Sequence, residues 1–457
     1  LSFGFAARTV LHTDLVSELK KRGMTVAVIC PGADEPAMQN IGARLGIKLY
    51  EAPKAEGLFL RIYMPLRRYL FEDVQNNPAL RAKHLRETSD DASLKRRFKL
   101  KAFNLLNRVL RATGFQRNLT SKRERCLYRN SDVEHLLKKL KPRLLIATYP
   151  VNPLEATVLA EAQRLRIKTA VQMLSWDNIT CKGRFPVLAD YYLTWGPIMT
   201  EELNEFYDVS PERVTETGVA HFDDHIKSVN PKISNRILRE MNLDEEVPYI
   251  FFGMSSPYFA PNEIDIVEEL ARKIRNNDFG ENVNLVVRPH PQNVEGSMAD
   301  VTWLPRLYAL QCDRVGVFWP KLLNSSMRWT VDESDISRLV SMMTKCSINI
   351  NSGSTFAIDG LCHGKPSILT FFDADQTLPW HLSAKRLAEY VHLRKLVAYN
   401  GVFPVFSYKD LFKEIILLLD NPRRNLKERA ITLEKECGKV DGKSCSRIAE
   451  ALYRVIN

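Results

Sequence analysis

Short hydrophobic runs alternate with amphipathic stretches along most of the chain. In the first half, seven runs are predicted to form β-strands: LSFGFAA, TVAVICP, IKLYEAP, RLLIATYP, KTAVQMLSW, YYLTWG and VTETGV. Apolar positions at helical spacing predict helices between several of them, at 14–22, 154–165 and 199–207. Strands that alternate with helices are typical of a parallel sheet covered on both faces.

The same pattern restarts after a polar stretch at 225–247. It predicts the strands YIFFGMSS, VNLVVRPHP, SININSG and PSILTFF, with helices at 263–275, at 336–346 and after SININSG. A chain of 457 residues is too long for one compact core. We therefore expect an α/β protein of two doubly wound, Rossmann-like domains that face each other across a cleft. Their predicted bounds are 1–228 and 229–440, with a final helix at 441–457 packing back on the first domain.

Composition narrows the class of protein. The apolar fraction of 45% and the charged fraction of 26% are ordinary for a globular protein. The eight cysteines are scattered, with no CxxC pair and no clustered histidine, so the sequence indicates neither a disulfide framework nor a zinc site, and it favours a reducing, cytoplasmic compartment. No apolar run reaches the roughly 18 to 20 residues that a membrane span needs.

The net charge of +11 is concentrated in one segment, 94–125, which holds eleven Lys and Arg residues against a single Glu. Helical spacing places six apolar residues of this segment on one stripe, and basic residues surround the stripe. A basic amphipathic helix is typical of an element that binds an anionic membrane surface. A core-facing helix with a solvated basic face is the alternative. No motif supports nucleic-acid binding. The stripe consists of Phe98, Ala102, Leu105, Leu106, Val109 and Leu110.

A similar mixture of arginine and aromatic residues occurs upstream, in LFLRIYMPLRRYLFEDV at 58–74. The two stretches together form a predicted basic amphipathic insert in the first domain, at about 58–125.

Polar residues follow three predicted strands of the second half. Ligands of open α/β sheets bind beyond the carboxyl ends of the strands, so these residues are the candidates for a binding site. They are Ser255 and Ser256 after YIFFG, Arg288, His290 and Gln292 in RPHPQ, and Ser352, Gly353, Ser354, Thr355 and Asp359 in NSGSTFAID.

A Gly/Ser/Thr turn that leads into a helix presents backbone N–H groups and hydroxyls to an anion, which predicts a phosphate or pyrophosphate ligand at 351–355. Asp359, about one turn later, is suited to accept hydrogen bonds from ribose hydroxyls. Ser354 has the alternative role of a helix cap. His290, as imidazolium or imidazole N–H, is suited to hold a phosphate oxygen beside Arg288, or else is a structural histidine.

Five motifs resemble GT-B glycosyltransferases of bacterial surface-polysaccharide assembly, and their relatives the CDP-glycerol glycerophosphotransferases and the non-hydrolysing UDP-N-acetylglucosamine 2-epimerases. Ser354, Thr355 and Asp359 resemble the S-S/T-x-x-x-D signature of the glycerophosphotransferases. Ser352 and Gly353 match the epimerases' Ser-Gly-Gly turn only in part. The motifs are RPHPQ at 288–292, NSGSTFAIDG at 351–360, GKP at 364–366, SWDNITCKG at 175–183 and TETGVAHFD at 215–223.

The resemblance implies a metal-independent glycosyltransferase that uses a nucleotide-sugar and no cofactor. The donor, with UDP favoured and CMP or CDP as alternatives, is expected in the second domain. The acceptor, a glycan or lipid-linked glycan of a capsule or lipopolysaccharide, is expected in the first. The enzyme would then act peripherally at the inner face of the cell membrane. A glycerophosphotransferase and a sugar-nucleotide epimerase remain alternatives, although the basic insert does not favour the epimerase.

Inverting sugar transfer also needs a general base near the acceptor hydroxyl. The candidates are His12, Asp14 and Asp177. Arg8, Trp176 and Asn178 are the candidates for acceptor binding, Arg8 through an anionic group and Trp176 by stacking. Asp14 is equally suited to cap a helix, and Trp176 to fill a core.

A further acidic pair, Asp373 and Asp375, follows the strand PSILTFF, where it either holds a metal ion or fixes the loop.

Overall fold

The computed structural model describes most of the chain. It divides into two compact units, the first formed by 1–220, 324–330 and 443–457 and the second by 221–323 and 331–442. Residues 115–120 of the predicted basic segment lie outside the described residues. The described residues are 1–54, 58–71, 74, 76–89, 93–114, 121–227, 229–279, 282–294, 302–327 and 330–457.

The first unit contains six strands and eleven α-helices among its described residues. They are α1 Gly4–Leu11, α2 Leu15–Lys21, β1 Ala27–Cys30, α3 Pro36–Leu45, β2 Lys48–Glu51, α4 Leu58–Phe71, α5 Pro78–Thr88, α6 Leu94–Ala112, α7 Ser121–Glu124, α8 Ser131–Leu140, β3 Leu144–Ala147, α9 Pro153–Arg164, β4 Lys168–Gln172, β5 Tyr191–Thr194, α10 Pro197–Tyr207, β6 Val214–Glu216 and α21 Ser444–Ile456.

The second unit contains six strands and ten α-helices among its described residues. They are α11 Asp223–Lys227, α12 Pro231–Glu240, β7 Tyr249–Gly253, α13 Glu263–Arg275, β8 Asn284–Arg288, α14 Pro291–Val294, α15 Trp303–Leu310, β9 Val315–Val317, α16 Glu333–Lys345, β10 Ile348–Asn351, α17 Phe356–Leu361, β11 Ser367–Thr370, α18 Val391–Ala398, β12 Phe403–Val405, α19 Tyr408–Asp420 and α20 Leu426–Cys437.

The six strands of the second unit form one parallel sheet in the order β12-β11-β10-β7-β8-β9. The chain reverses its direction of winding between β7 and β10, which makes this pair the topological switch point of a doubly wound sheet. Every residue of β7, β8, β10 and β11 is buried, as expected for strands that helices cover on both faces.

The first unit has a parallel sheet in the order β3-β4-β5-β6 and a separate parallel pair, β1 and β2. The C-terminal helix α21 packs on α2, where Leu15 and Leu19 share a cluster with Ile448 and Leu452. Two parallel α/β sheets confirm the predicted fold class.

The prediction of a strand at LSFGFAA is wrong, because a helix, α1, begins at Gly4. Phe3 is extended, and the two residues before it contact β1 and α9: the amino group of Leu1 donates to Ile29 O, and Ser2 Oγ donates to Glu155 Oε1. The helical residues Ala6, Ala7 and Leu11 are buried. Their i, i+1 and i+5 spacing fits one face of a helix. Within a stretch of only seven residues, the sequence pattern did not distinguish this spacing from the alternation of a strand.

A buried ion pair joins the insert to the rest of the first unit. Arg67 of α4 pairs with Glu124, which also accepts from Tyr63 Oη at 2.9 Å. The same guanidinium donates to the carbonyl oxygens of Arg184, at 2.6 Å, and Phe185, at 3.2 Å. Burial opposes the charge of Arg67, but the Glu124 carboxylate outweighs it and raises the pKa of Arg67. These contacts connect α4 and α7 to the loop that precedes β5.

The apolar stripe of α6 is exposed. Of its members, Phe98, Leu105, Leu106 and Val109 have 78%, 64%, 43% and 53% of their surface exposed. The helix buries Leu100 and Asn107 instead. This arrangement does not fit the alternative of a core-facing stripe. Among the described helices, none combines the length and the apolar character of a membrane span.

Candidate functional site

The carboxyl ends of three neighbouring strands lie in one row of the second unit's sheet. Gly253 at the end of β7 pairs with Asn351 of β10 on one side and with Arg288 of β8 on the other. The polar loops after these strands therefore meet at one edge of the sheet, at the switch point. The candidate residues that follow β7, β8 and β10 are thus neighbours in the structure.

Glu263, the first residue of α13, connects two of these loops. Its Oε2 accepts from Ser255 N at 2.6 Å, and its Oε1 lies 2.5 Å from Ser352 Oγ. Ser352 Oγ in turn lies 2.7 Å from Thr370 Oγ1. Burial raises the pKa of Glu263 to about 8, against the two hydrogen bonds, which lower it. Sequence reasoning missed this residue, because an acidic residue at a helix start normally indicates only a solvated cap.

The loop at 351–355 divides into an inner and an outer part. Ser352 is buried, whereas Gly353, Ser354 and Thr355 are partly exposed. Ser354 N donates to Asn351 Oδ1 at 2.8 Å, and Ser354 Oγ accepts from Phe356 N at 3.1 Å. Ser354 thus caps the short helix α17, which was the alternative role for it.

Gly353 and Thr355 provide the unused donors of this loop. In the described part of the chain, no hydrogen bond is formed by the N–H groups of Gly353 and Thr355 or by the Thr355 hydroxyl. Gly353 has a φ of 71°, and a Cβ there would lie 2.8 Å from Leu393 Cδ1, so the turn requires glycine. The helix α17 has only six residues, so its dipole contributes little. The turn would bind an anion mainly through these donor groups.

Asp359 is held by a histidine that the sequence did not indicate. Its Oδ1 lies 2.7 Å from Nε2 of His225, and Nδ1 of His225 lies 2.8 Å from Nε2 of His363. The pKa of His363 is lowered to about 3, mainly by burial and secondly by the charge of His225. One carboxylate oxygen of Asp359 is therefore already engaged. No sequence pattern could find His225, because 134 residues separate it from Asp359.

Arg288 is fixed by a buried carboxylate and an aromatic ring. Its Nη2 lies 2.5 Å from Asp335 Oδ2, and its guanidinium lies 4.6 Å from the ring centre of Phe318. Its Nη1 is buried and has no hydrogen-bond partner among the residues that the structure describes. Asp335 was not among the predicted residues; the helix start at 333 gave no reason to expect it to be buried.

The rest of the RPHPQ loop adds more unsatisfied polar atoms. His290 Nδ1 accepts from Gln292 N at 3.1 Å, so the neutral ring carries its proton on Nε2. Burial, followed by the charge of Arg288, lowers the pKa of His290 to about 4, which makes it an imidazole N–H donor at neutral pH. Within the described ranges, the buried atoms Gln292 Oε1 and Asn293 Oδ1 have no hydrogen-bond partner. Buried polar atoms without partners are rare and point to a missing ligand or water.

The serines after β7 are mostly engaged in the loop itself. Ser255 and Ser256 are buried, with 6% and 3% exposed. Ser255 Oγ donates to Ser352 O at 3.5 Å, and Ser255 O accepts from Asn293 Nδ2 at 3.0 Å. Ser256 Oγ accepts from Tyr258 N at 3.3 Å. The three loops are thus hydrogen-bonded to one another.

The Asp373 carboxylate fixes the loop after β11. It accepts from Ala384 N at 2.7 Å and from Ser383 Oγ. Among the described residues, no group of three or more His, Cys, Asp or Glu side chains is arranged to hold a metal ion.

In the first unit, Arg8 and His12 lie one turn apart on the same side of α1. Arg8 Nε and Nη2 are buried and have no hydrogen-bond partner among the described residues. His12 is 8% exposed and ends the helix, and Asp14 occupies the cap position of α2 without a side-chain capping bond. The guanidinium of Arg8 can therefore donate hydrogen bonds to an anionic group.

The SWDN loop follows β4 at the carboxyl edge of the first unit's sheet. Trp176 is buried, with 5% exposed, and Asn178 Oδ1 accepts from Ser175 N at 3.0 Å. Asp177 is partly exposed, and its Oδ2 lies 2.8 Å from Lys182 Nζ. Burial opposes the charge of Lys182, but the Asp177 carboxylate outweighs it and raises the pKa of Lys182.

Several solved structures are similar to the whole chain. S. aureus MnaA in a co-structure with UDP has a TM-score of 0.59 at 11% identity and covers 100% of this chain and 95% of its own. A putative UDP-N-acetylglucosamine 2-epimerase from Listeria monocytogenes has a TM-score of 0.57 at 12% identity, with the same coverage. UDP-GlcNAc 2-epimerase from Neisseria meningitidis, bound to UDP-GlcNAc, has a TM-score of 0.56 at 13% identity and covers 99% and 98%.

No family model and no curated protein sequence matches the chain. At these identities the structural similarity establishes architecture and leaves the activity open. The chain has the GT-B fold, with two Rossmann-like domains of the kind these enzymes share.

Proposed function

We propose that the protein is a metal-independent glycosyltransferase that moves a sugar from a nucleotide-sugar to a glycan or lipid-linked acceptor in surface-polysaccharide assembly. One observation carries the proposal: the three loops at the switch point converge with buried, unpaired polar atoms. Arg288, Gln292 and Asn293 each contribute one. Such a site, at the carboxyl ends of β7, β8 and β10, is where doubly wound sheets bind nucleotides.

Neutral and cationic hydrogen-bond donors of the protein would together hold the diphosphate of the nucleotide-sugar. The N–H groups of Gly353 and Thr355, the Thr355 hydroxyl and the imidazole N–H of His290 supply hydrogen bonds. Arg288 Nη1 supplies a charge-assisted one. When the sugar leaves, negative charge develops on the leaving diphosphate, and the same donors stabilise it without a metal ion.

Sugar transfer also needs an acceptor hydroxyl that loses its proton as it attacks the anomeric carbon. The first unit offers His12, Asp14 and Asp177 as bases. Asp177 is partly exposed and lies at the carboxyl edge of its sheet. Arg8, with its unpaired N–H groups, would hold an acidic sugar or phosphate of the acceptor.

An epimerase is the second candidate function, because two of the similar structures are named UDP-GlcNAc 2-epimerases or putative ones and one is bound to UDP-GlcNAc. The two activities differ in what they require. An epimerase converts UDP-GlcNAc in the absence of an acceptor, whereas a glycosyltransferase releases UDP only when an acceptor is present.

The proposed donor site predicts which nucleotide stabilises the protein. We expect one of UDP, CDP, CMP, GDP, dTDP and ADP to raise the melting temperature, because ligand at 100 times its Kd stabilises the folded state by about 2.7 kcal/mol. The shift should be lost or strongly reduced in His290→Ala and in Thr355→Val. The measurement is a thermal-shift titration of the full chain, with UDP expected to act.

The control is Thr215→Val, which makes the same change at an exposed position of β6 in the first unit. It should keep the full nucleotide shift. Absence of a shift with every nucleotide would contradict the donor site. A shift that persists in both donor-loop variants would place the nucleotide elsewhere.

The exposed stripe of α6 supports a role at a membrane surface. Apolar residues with more than half of their surface exposed alternate with exposed Lys95, Lys99, Lys101 and Arg108. Apolar insertion and attraction to anionic headgroups act together on such a helix. We therefore propose that α6 holds the enzyme on an anionic membrane, where a lipid-linked acceptor would be found.

Charge reversal on α6 should abolish binding to anionic vesicles. Changing Arg96, Arg97, Lys99 and Lys101 to Glu is expected to lower vesicle binding at least tenfold, since each basic residue near an anionic surface contributes about 1 kcal/mol. The measurement is co-sedimentation with phosphatidylglycerol-containing liposomes.

A matched control reverses four exposed lysines of the second unit, so that the net charge changes equally. It should bind vesicles like the wild type; equal loss in both variants would show that only net charge matters. The control residues are Lys409, Lys413, Lys427 and Lys435.

A further inference from the structure

A cavity of about 530 Å³ opens in the first unit at the edge of the sheet opposite to the SWDN loop. It is lined by the residues that precede or begin β4, β5 and β6. Arg166 and Lys168 lie at the start of β4, Asp190 just before β5, and Arg213 just before β6. Because these are the amino ends of parallel strands, the cavity is separate from the carboxyl edge, where doubly wound sheets bind their substrates.

The cavity is strongly basic. Four cationic side chains line it against one carboxylate. The carboxylate belongs to Asp190, and its Oδ2 already accepts from the N–H and the hydroxyl of Thr169, at 2.9 and 2.8 Å. Within the described part of the chain, none of the four cations pairs with a carboxylate. Four cations against one carboxylate leave the cavity with an excess of positive charge. The four cations are Arg125, Arg166, Lys168 and Arg213.

The arginines are partly fixed and keep unused donors. Arg213 donates from Nε to Asp190 O at 2.8 Å and from Nη2 to Ala189 O, which leaves Nη1 unused. Arg125 donates from Nη1 to Gln163 Oε1 at 3.1 Å, and its side chain forms no other hydrogen bond with the residues that the structure describes. Arg166 forms none with its side chain in the described structure. A guanidinium with two free N–H groups is suited to bind a phosphate through both.

Lys168 is held at the mouth of the cavity by the last helix. Its Nζ donates to Val455 O of α21 at 2.7 Å. An ammonium group has three N–H donors, so this bond leaves two.

We propose that this cavity binds a phosphate or diphosphate group at a second site, apart from the donor site. Its volume lies within the roughly 300–1,000 Å³ of small-molecule sites. Three arginines and a lysine match the charge of a phosphorylated ligand better than that of a neutral sugar. The phosphate belongs either to an anionic lipid headgroup or to a soluble phosphorylated molecule.

The position of Arg125 along the chain supports an anionic lipid headgroup as the source of the phosphate. Arg125 is the last residue of the basic segment that contains α6, and it follows Glu124, whose ion pair with Arg67 fixes the insert. A headgroup bound here would be held by the same insert that presents the exposed apolar stripe.

The test uses inorganic pyrophosphate as the probe and hydrogen exchange with mass spectrometry as the readout, because exchange shows where the probe binds. We expect pyrophosphate to protect segments 163–168 and 187–191 of the full-length wild type. In the double variant Arg125→Gln/Arg166→Gly, the concentration needed should rise at least tenfold. Arg166 has a φ of 59°, so glycine removes its charge without backbone strain.

The control double variant Lys139→Gln/Lys141→Gly loses the same two charges in the same unit. Lys141 is exposed and has a φ of 46°, so the change to glycine is matched in conformation as well. Its protection by pyrophosphate should equal that of the wild type. The proposal is overturned if pyrophosphate does not protect these segments, or if both double variants lose protection equally.

Vesicles distinguish the two sources of the phosphate. If the ligand is a headgroup, phosphatidylglycerol vesicles should protect the same two segments, and pyrophosphate should compete with them. If vesicles protect α6 but leave these segments unchanged while pyrophosphate protects them, the ligand is soluble. Nucleotide binding at the donor loops is read separately, from exchange at 351–355, so failure there does not affect this result.

Discussion

Replacing Asp335 with alanine is expected to destabilise the second unit by roughly 3–5 kcal/mol, because it leaves the buried Arg288 guanidinium without a counter-ion. Both side chains are almost fully buried, with 8% and 2% exposed. The change also removes the acceptor of Lys321 N, which donates to Asp335 Oδ1 at 3.0 Å. Hydrogen exchange of the β8 amides measures the effect, since their slowest exchange reports unfolding of the unit.

A double-mutant cycle separates the ion pair from the packing. Arg288→Met/Asp335→Ala should be more stable than Asp335→Ala alone, because no unpaired charge remains. Glu269→Ala, which breaks an exposed pair with Arg272, should cost about 1 kcal/mol or less. If Asp335→Ala is as mild as Glu269→Ala, Arg288 is solvated or paired in another way. Loss of the nucleotide shift in the double variant would in addition connect Arg288 to the donor.

The sequence predicted the strands that carry the candidate site because those strands are buried on both faces. A fully buried parallel strand is typically a continuous apolar run, and YIFFG and LVV are such runs, whereas ININ alternates isoleucine with asparagine and is buried all the same. A polar residue marks each strand end: Arg288 is the last residue of β8, Ser352 directly follows β10, and Ser255 comes one position later after β7. That was enough to place Ser255, Arg288 and Ser352 at one edge, and the register of β10, β7 and β8 agrees.

The partners of these residues could not be predicted from the sequence. Asp335 and Glu263 each lie in the first turn of a helix, where acidic residues are common for a local reason, the helix dipole. Only the tertiary structure buries them and supplies Arg288 or Ser352 as a partner. The three-residue strands β9 and β12 were missed because such short segments have no measurable periodicity.

For the basic helix α6, the sequence predicted the element but not what its apolar stripe faces. Spacing predicted a helix with one apolar stripe, and α6 has it. Spacing does not determine whether such a stripe faces a core or solvent, because both produce the same pattern. The exposure of Phe98 and Leu105 in the structure supports the membrane-surface proposal, and the vesicle experiment tests it.

The largest pH effect is expected from Glu263→Gln, which should make stability less dependent on pH between about 5 and 8. Burial raises the pKa of Glu263 from its ordinary value of 4.5 to about 8. The folded protein thus binds this proton more tightly than the unfolded chain. Stability from this group is fully present below pH 4.5, falls as pH rises, and is lost above about pH 8, at a slope of up to about 1.4 kcal/mol per pH unit.

Glutamine is the suitable replacement because it resembles the protonated acid. Protonated Glu263 donates from Oε1 to Ser352 Oγ and accepts from Ser255 N through Oε2. Glutamine can donate from Nε2 and accept through Oε1 at the same places. The two loops should therefore remain connected at every pH, with a stability near that of the wild type at pH 5 and a few kcal/mol higher at pH 9.

The measurement is the free energy of unfolding of the second unit at several pH values, from exchange of the β7 and β10 amides. Glu269→Gln on the same helix is the control: its hydrogen bond to Arg272 lowers the pKa of Glu269, so it titrates below this range and should leave the slope unchanged. A wild-type slope that survives in Glu263→Gln would mean that Glu263 is ionised at neutral pH. The link between the loops after β7 and β10 would then depend on a buried carboxylate, and a bound diphosphate beside it would be repelled.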